Sequence, residues 1–238
     1  MPALRKFWER LPIAGMAWWQ IAAHIGALVP LAVLLWDYAH DNLTVNPIQE
    51  ATFRTGKYAL VLLVLSLACT PAHIVFGLRQ ALRLRRAWGL YAFMYAAMHF
   101  LIFVGIDYGL DLALLQEAIF EKRFALVGFA AFLLLLPLAI TSTKGWQRRL
   151  KKRWTRLHRL VYLAAILAVV HFVWLVKSDI REPLLYGLVV MVLLLVRVPV
   201  VRGAIKTLRA KGRHRAGGSY PLRGRARVVG SRLDSGRD

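Results

Sequence analysis

Six stretches of the chain are apolar almost without interruption: residues 13–36, 58–78, 88–107, 124–140, 157–176 and 184–201. Polar segments, most of them charged, separate the stretches. A helix needs about 20 apolar residues to cross roughly 30 Å of hydrocarbon, and five of the six stretches come close to that length. The fourth is the shortest and carries Pro137. The pattern predicts an all-α fold, a polytopic bundle of six transmembrane helices spanning residues 13–201. A short N-terminus, 1–12, precedes it, and a basic tail, 202–238, rich in Gly and Arg, follows and is expected to be disordered. Composition supports this: 58% of residues are hydrophobic and mean hydropathy is +0.51, well above ordinary soluble domains. The first stretch reads as a retained span rather than a cleaved leader. It is long, contains Trp18, Trp19, His24 and Trp36, and lacks a small-residue cleavage site.

Charge orients the bundle. Lys and Arg are retained on the cytoplasmic side of short loops. With the N-terminus inside, loops 79–86 and 144–156 are cytoplasmic and almost purely basic, and most of the 33 Lys and Arg fall on that side. Most of the 12 acids fall on the other, among them Asp37, Glu50, Asp107, Asp111, Glu117, Glu121, Asp179 and Glu182. Both termini are therefore expected in the cytoplasm, on the inner side of the membrane that this multi-pass chain crosses. A net charge of +21 raises the question of nucleic acid. Here the charge is spread over loops and tail that topology alone makes basic, so the expected partner is the lipid membrane, at about 1 kcal/mol per basic residue near an anionic surface, and no nucleic acid. The single cysteine, Cys69, excludes an internal disulfide and a cysteine-ligated iron–sulfur cluster. No phosphate-binding Gly-rich loop, dinucleotide fingerprint or internal sequence repeat is evident.

Candidate chemistry rests on histidines. Spans three and five run in the same direction, and at about 1.5 Å of rise per residue His99 lies roughly 18 Å above Ala87 and His171 roughly 20 Å above His158. The two imidazoles are level, in the half of the bilayer away from the basic loops, where a polar side chain is expensive. Parallel helices presenting histidines at one height can hold a porphyrin between them. A mid-membrane histidine bonded only to a neighbouring helix is the simpler account of His24 and His73, and stays open for the pair. His158 lies at the membrane boundary beside Arg156 and Arg159. Thirteen residues turn an ideal helix by three turns and about 220° more, so His158 and His171 cannot clamp one haem. A second haem at His158 needs a partner, and span three offers only Arg85 and Arg86 there, leaving His73 as a poor candidate.

The order and spacing of several short words carry a resemblance. They are Thr55-Gly56-Lys57-Tyr58-Ala59-Leu60, Thr70-Pro71, Arg85-Arg86-Ala87-Trp88-Gly89-Leu90 leading to His99, and Pro137-Leu138-Ala139-Ile140-Thr141-Ser142. Then come Lys152-Arg153-Trp154, Leu157-His158, Tyr162, and His171-Phe172 with Trp174 and Lys177. Over residues 12–200 the chain resembles the MsrQ family, haem-binding membrane subunits of bacterial periplasmic methionine-sulfoxide reductase systems, within the wider ferric-reductase-like transmembrane superfamily. The resemblance implies haem b, one or two, bound through His99 and His171 with His158 as an additional histidine. It also implies FMN, and electrons passing from the quinone pool to a periplasmic molybdopterin-dependent methionine-sulfoxide reductase subunit that repairs oxidised proteins. No family role falls on His73, and Arg85 or Arg86 stands where eukaryotic oxidases of the superfamily have an inner histidine. The alternative is a stand-alone ferric or quinone reductase, disfavoured by the absence of a nicotinamide-oxidising module; a 37-residue tail is too short for one. A transporter is disfavoured because the span centres lack charged residues. Arg85, Arg86, Lys152 and Arg153 suit haem propionates or a flavin phosphate, and positive-inside bias explains them equally well. No separate substrate-turnover site is evident in the sequence.

Overall fold

A computed structural model describes residues 17–176, 179–205 and 207–208. Lys177, the N-terminal segment and most of the tail lie outside the described residues. The chain is all-helical: α1 Trp18–Ala39, α2 Pro47–Phe76, α3 Ala81–Leu101, α4 Leu112–Glu121, α5 Arg123–Ile140, α6 Lys144–Leu150, α7 Lys152–Leu157, α8 Leu160–Leu175 and α9 Arg181–Leu195. A short α10, Pro199–Ile205, follows. Five spans, Trp18–Ala39, Pro47–Phe76, Ala81–Asp107, Arg123–Ile140 and Lys152–Leu175, are long and apolar enough to cross a membrane by themselves.

The sixth expected span, 184–201, is broken. Helix α9 has 15 residues, and α10 departs from it at 77°. Pro199 cannot donate the backbone bond that would continue α9. Arg197 folds inward at the break, donating to the Tyr162 hydroxyl at 2.9 Å and to the Leu67 carbonyl. Helix α10 also runs past residue 201, the expected end of the membrane domain.

Helix α2 is longer than its apolar pattern, beginning at Pro47 rather than Tyr58. The extension is polar and well capped. The Asn46 side chain accepts from the Gln49 amide at 3.0 Å, and Pro47 sits at the first turn, where its missing N–H has no cost. Arg54 is held by Asp37 and Glu50, each at 2.5 Å, while Lys57 meets Glu182 at 2.7 Å. These pairs tie α1, α2 and α9 together at the acid-rich end of the bundle. Helix α3 likewise starts early, at Ala81, taking in Arg83, Arg85 and Arg86, and widens into a π-helical segment, Ile102–Asp107, just beyond His99.

Helix α2 is also the hub. Its Leu60, Leu62, Leu63, Val64 and Leu67 pack with Ala27 of α1, Ala92 and Tyr95 of α3, Ala165 of α8 and Val190 of α9. Small residues bring the helices close. Ala164 and Ala165 are fully buried, and a Cβ at Gly187 would come within 3.3 Å of Val169. The outer faces of α1, α5 and α9 expose Ile25, Val29, Leu126, Leu133, Leu188 and Met191. Such a surface would aggregate in water and is the surface hydrocarbon requires.

A paired-histidine centre between two helix hairpins

Two hairpins build the site in the same way. In the first, His99 of α3 reaches α2, where its Nδ1 meets the Thr52 carbonyl at 2.8 Å. In the second, His171 of α8 reaches α5, where its Nδ1 meets the Phe124 carbonyl at 2.7 Å. The histidine lies 47 residues after its acceptor in both hairpins. One turn beyond each acceptor stands a glycine under the ring. A Cβ on Gly56 would lie 3.0 Å from His99 Nδ1, and one on Gly128 would lie 2.6 Å from His171 Nδ1. A carbonyl can only accept, so each Nδ1 carries the proton and each Nε2 is left with its lone pair.

The two rings face each other across the bundle with centroids 6.1 Å apart and planes at 80°. Imidazoles bonded through Nε2 to opposite sides of one metal ion, at about 2.0–2.1 Å per bond, place their centres roughly 6 Å apart. The donor set therefore fits a porphyrin iron, which needs two axial nitrogens and brings its other four. No group of three or more His, Cys, Asp or Glu able to hold a bare metal ion exists among the described residues. Hydrogen bonds from the far ring nitrogens fix tautomer and orientation, as is general for metal-ligating histidines. Phe100 stacks on Phe132 at 4.7 Å and on Phe129 at 5.8 Å, closing α3 against α5 beside the histidines.

His158 is placed differently. It occupies the break between α7 and α8, stacked on Trp154 at 3.9 Å, with Nδ1 3.2 Å from the Trp154 carbonyl. Its Nε2 is buried and makes no hydrogen bond of good geometry, with the Leu138 backbone the other group acting on the ring. Leaving such an atom unpaired costs roughly 1–3 kcal/mol, so the position is suited to a ligand. Across from it the charge is positive: Arg85 acts electrostatically on His158, on Cys69 and on Arg197. Sequence spacing grouped Arg85 with Arg86; the fold separates them. Arg85 turns to this cluster, while Arg86 lines a cleft beside α1 with His24 and Tyr91.

The level pair predicted from helix rise is thus brought together, and His158 is set apart from it, as its angular offset required. His24 has the neighbour-bonded role, its Nδ1 2.9 Å from the Tyr91 hydroxyl. Sequence analysis missed the acceptors Thr52 and Phe124 and the glycine Gly128. The signal that could have found Gly128 is its spacing from His171, the same as that of Gly56 from His99.

This architecture, a helical membrane bundle in which two hairpins each bring one histidine to face the other, is that of a transmembrane haem protein of the ferric-reductase type. Residues 55–169 match the family described as ferric reductase like transmembrane component. The chain is 48% identical over 177 residues to the protein-methionine-sulfoxide reductase heme-binding subunit MsrQ of Xanthomonas axonopodis pv. citri, covering 72% of this chain and 81% of that one. It is 48% identical over 184 residues to the MsrQ of Deinococcus radiodurans, covering 76% and 90%. The chain belongs to the MsrQ family of haem-binding subunits of methionine-sulfoxide reductase, multi-pass bacterial membrane proteins. No solved structure matches it.

Proposed function

We propose that this chain carries electrons across the bacterial inner membrane, from the quinone pool to a periplasmic molybdopterin-dependent reductase that repairs methionine sulfoxide in proteins. His99 and His171 would hold one haem b. His158 would be the protein ligand of a second haem, and FMN would serve as a further carrier on the donor side. The observation that carries the reading is the facing pair of Nε2-bare imidazoles with centroids 6.1 Å apart. When bound, haem supplies a one-electron iron couple in a slab of hydrocarbon that electrons do not otherwise cross.

The chain's own residues do the rest. The Thr52 and Phe124 carbonyls hold each ring by its Nδ1 proton, and Gly56 and Gly128 leave room for the rings to lie against α2 and α5. The phenylalanines between α3 and α5 keep that side of the centre apolar. Arg85 stands near His158, where a carboxylate of a second haem would be neutralised. With the basic end in the cytoplasm, as the positive-inside bias supports, the His99–His171 pair lies toward the periplasm. Donor-side chemistry then lies at the opposite end.

The test is reoxidation. Reduced protein in membranes is expected to reoxidise quickly only when a soluble molybdenum-containing reductase and a methionine-sulfoxide substrate are both supplied. Fast reoxidation by ferric chelates, with no response to the reductase, would overturn the proposal in favour of a stand-alone enzyme.

A further inference from the structure

Outside the paired-histidine centre, one cavity combines a titratable pair with a lipid-facing opening. A cleft of about 480 Å³ runs along α3 beside α1, lined by His24, Arg83, Arg86, Leu90, Tyr91 and Met94. Its floor is the stripe of α3 residues that recur at three- and four-residue spacing on one face. Toward the acid-rich end it stops where the buried Tyr95 donates its hydroxyl to the Ala27 carbonyl at 2.9 Å, pinning α1 to α3. Toward the basic end its mouth holds Arg83 and Arg86, both exposed and without an ion pair among the described residues. Leu90, half-way along, stays exposed on the lipid side.

The polar atoms inside are few and specific. The Tyr91 hydroxyl meets His24 Nδ1 at 2.9 Å, with the two rings edge-on at 5.6 Å. No carboxylate lines the cleft. His24 is the one imidazole that lines it, and an imidazole can take a proton on one ring nitrogen while giving one up from the other. Met94 precedes His99 on α3 by five residues, about 7.5 Å of rise and on a different face of the helix, so the cleft and the proposed electron acceptor share this helix. A proton-accepting pair, open to lipid and on the same helix as the proposed one-electron centre, suits a carrier that is lipid-soluble and gives up protons and electrons together.

We infer that this cleft is the oxidation site for a lipid-soluble quinol, with Tyr91 and His24 as its proton exit; the inference rests on the quinone-pool donor proposed above. The head group enters sideways from the bilayer past Leu90, and a quinol hydroxyl donates to the Tyr91 oxygen. As that proton moves onto Tyr91, the tyrosine's own proton passes to His24 Nδ1, and His24 releases one from Nε2 toward the aqueous mouth at Arg83 and Arg86. Proton exchange with water at the mouth returns His24 to its Nε2–H tautomer, with Nδ1 bare again, and a second pass then removes the second proton. The quinol becomes quinone, losing two protons and two electrons, and two ferric haem equivalents each accept one electron.

The experiment uses the full chain in nanodiscs, in wild type and in Tyr91→Phe, His24→Gln and Arg86→Gln. Two readouts are taken: haem reduction by decylubiquinol, against dithionite as a site-independent reductant, and photolabelling by an azidoquinone in His99→Ala protein, which reads binding without a functional centre. Wild type should be reduced by the quinol. Tyr91→Phe and His24→Gln should slow this by about 10²-fold or more, the usual contribution of a positioned proton acceptor, with the dithionite-reduced spectrum unchanged. Arg86→Gln, at the exposed mouth, should fold normally and slow it less. The photolabel should fall on α1 and α3, and excess decylubiquinone should suppress it. If wild type is reduced by quinol while the Tyr91 and His24 variants keep its rate, the site is wrong and the donor stands. If dithionite reduces wild type and quinol does not, the donor proposal fails and this inference with it. Labelling confined to other helices would also overturn it.

Discussion

The two ends of the bundle hold histidines in opposite states of completion. Toward the acid-rich end, His99 and His171 each have one nitrogen committed to a carbonyl on a neighbouring helix, a glycine beneath the ring, and the other imidazole opposite. Toward the basic end, His158 has its Nδ1 tied within its own helical turn, a buried Nε2 without a well-formed hydrogen bond, the Leu138 backbone beside the ring, and a guanidinium rather than a second imidazole nearby. One site is preorganised by two hairpins; the other is a half-site. On the ligation proposed above, haem affinity is concentrated in the pair, and a haem at His158 is held less firmly.

The sharpest way to break the contrast is to remove a ligand. His99→Ala or His171→Ala should abolish the main low-spin b-type spectrum, because an iron held by two imidazoles loses half its axial set. Absorbance of the purified, reduced protein checks it, and a full, unchanged low-spin spectrum in His99→Ala would refute the pairing. The glycines sharpen the comparison within the pair. Gly128→Ala should weaken haem binding by roughly 10–100-fold, the scale of losing an orienting outer-shell contact. Gly56→Ala should cost less, since its added carbon meets its histidine at 3.0 Å rather than 2.6 Å. Equal haem content in both variants would show that the rings move freely.

His158→Ala should have a smaller effect, lowering haem content only in part or altering the redox titration while the main spectrum persists. Haem loss as complete as in His171→Ala would erase the distinction between the two ends. Smaller again is a change that leaves the haem spectrum intact. Reversing Asp107, Asp111 and Glu117 to Lys should slow electron delivery to the reductase, the expectation if this acidic segment docks a partner through a basic patch. Asp111 caps α4 by accepting from the Ala113 and Leu114 amides, so Asp107→Lys with Glu117→Lys separates docking from loss of the cap. Orientation has its own check. A cysteine at Asp111 should react with an impermeant thiol reagent added outside intact cells and one at Gln147 should not; the reverse pattern would put the complete site on the cytoplasmic side.

How much of this was legible in the sequence depended on the range of the interaction. Apolar runs of membrane length determined the all-α bundle, and residue count along two parallel spans brought His99 and His171 to one height. Helix rise is a local property, so counting suffices. The same counting kept His158 off the face of His171. The start of α2 was misplaced because a hydropathy pattern cannot see a helix begin in polar residues. Pro47 to Lys57 are helical through the Asn46 cap and the Arg54 ion pairs, and that stretch holds Thr52 and Gly56.

What only the tertiary structure decided was everything that joins residues distant in the chain. The acceptor carbonyls of His99 and His171 lie 47 residues away, and a backbone carbonyl has no signature in a residue code. Consecutive arginines, alike in sequence, were assigned to different chemistry because neighbouring residues on a helix point about 100° apart, Arg85 to the His158 cluster and Arg86 to the cleft. The sixth span reads as continuous in composition; it bends where Pro199 cannot continue α9, and at that bend Arg197 reaches Tyr162 and the Leu67 carbonyl inside the bundle. Composition specified a six-segment membrane protein with histidines at one depth. Packing decided which of their nitrogens remain free to bind.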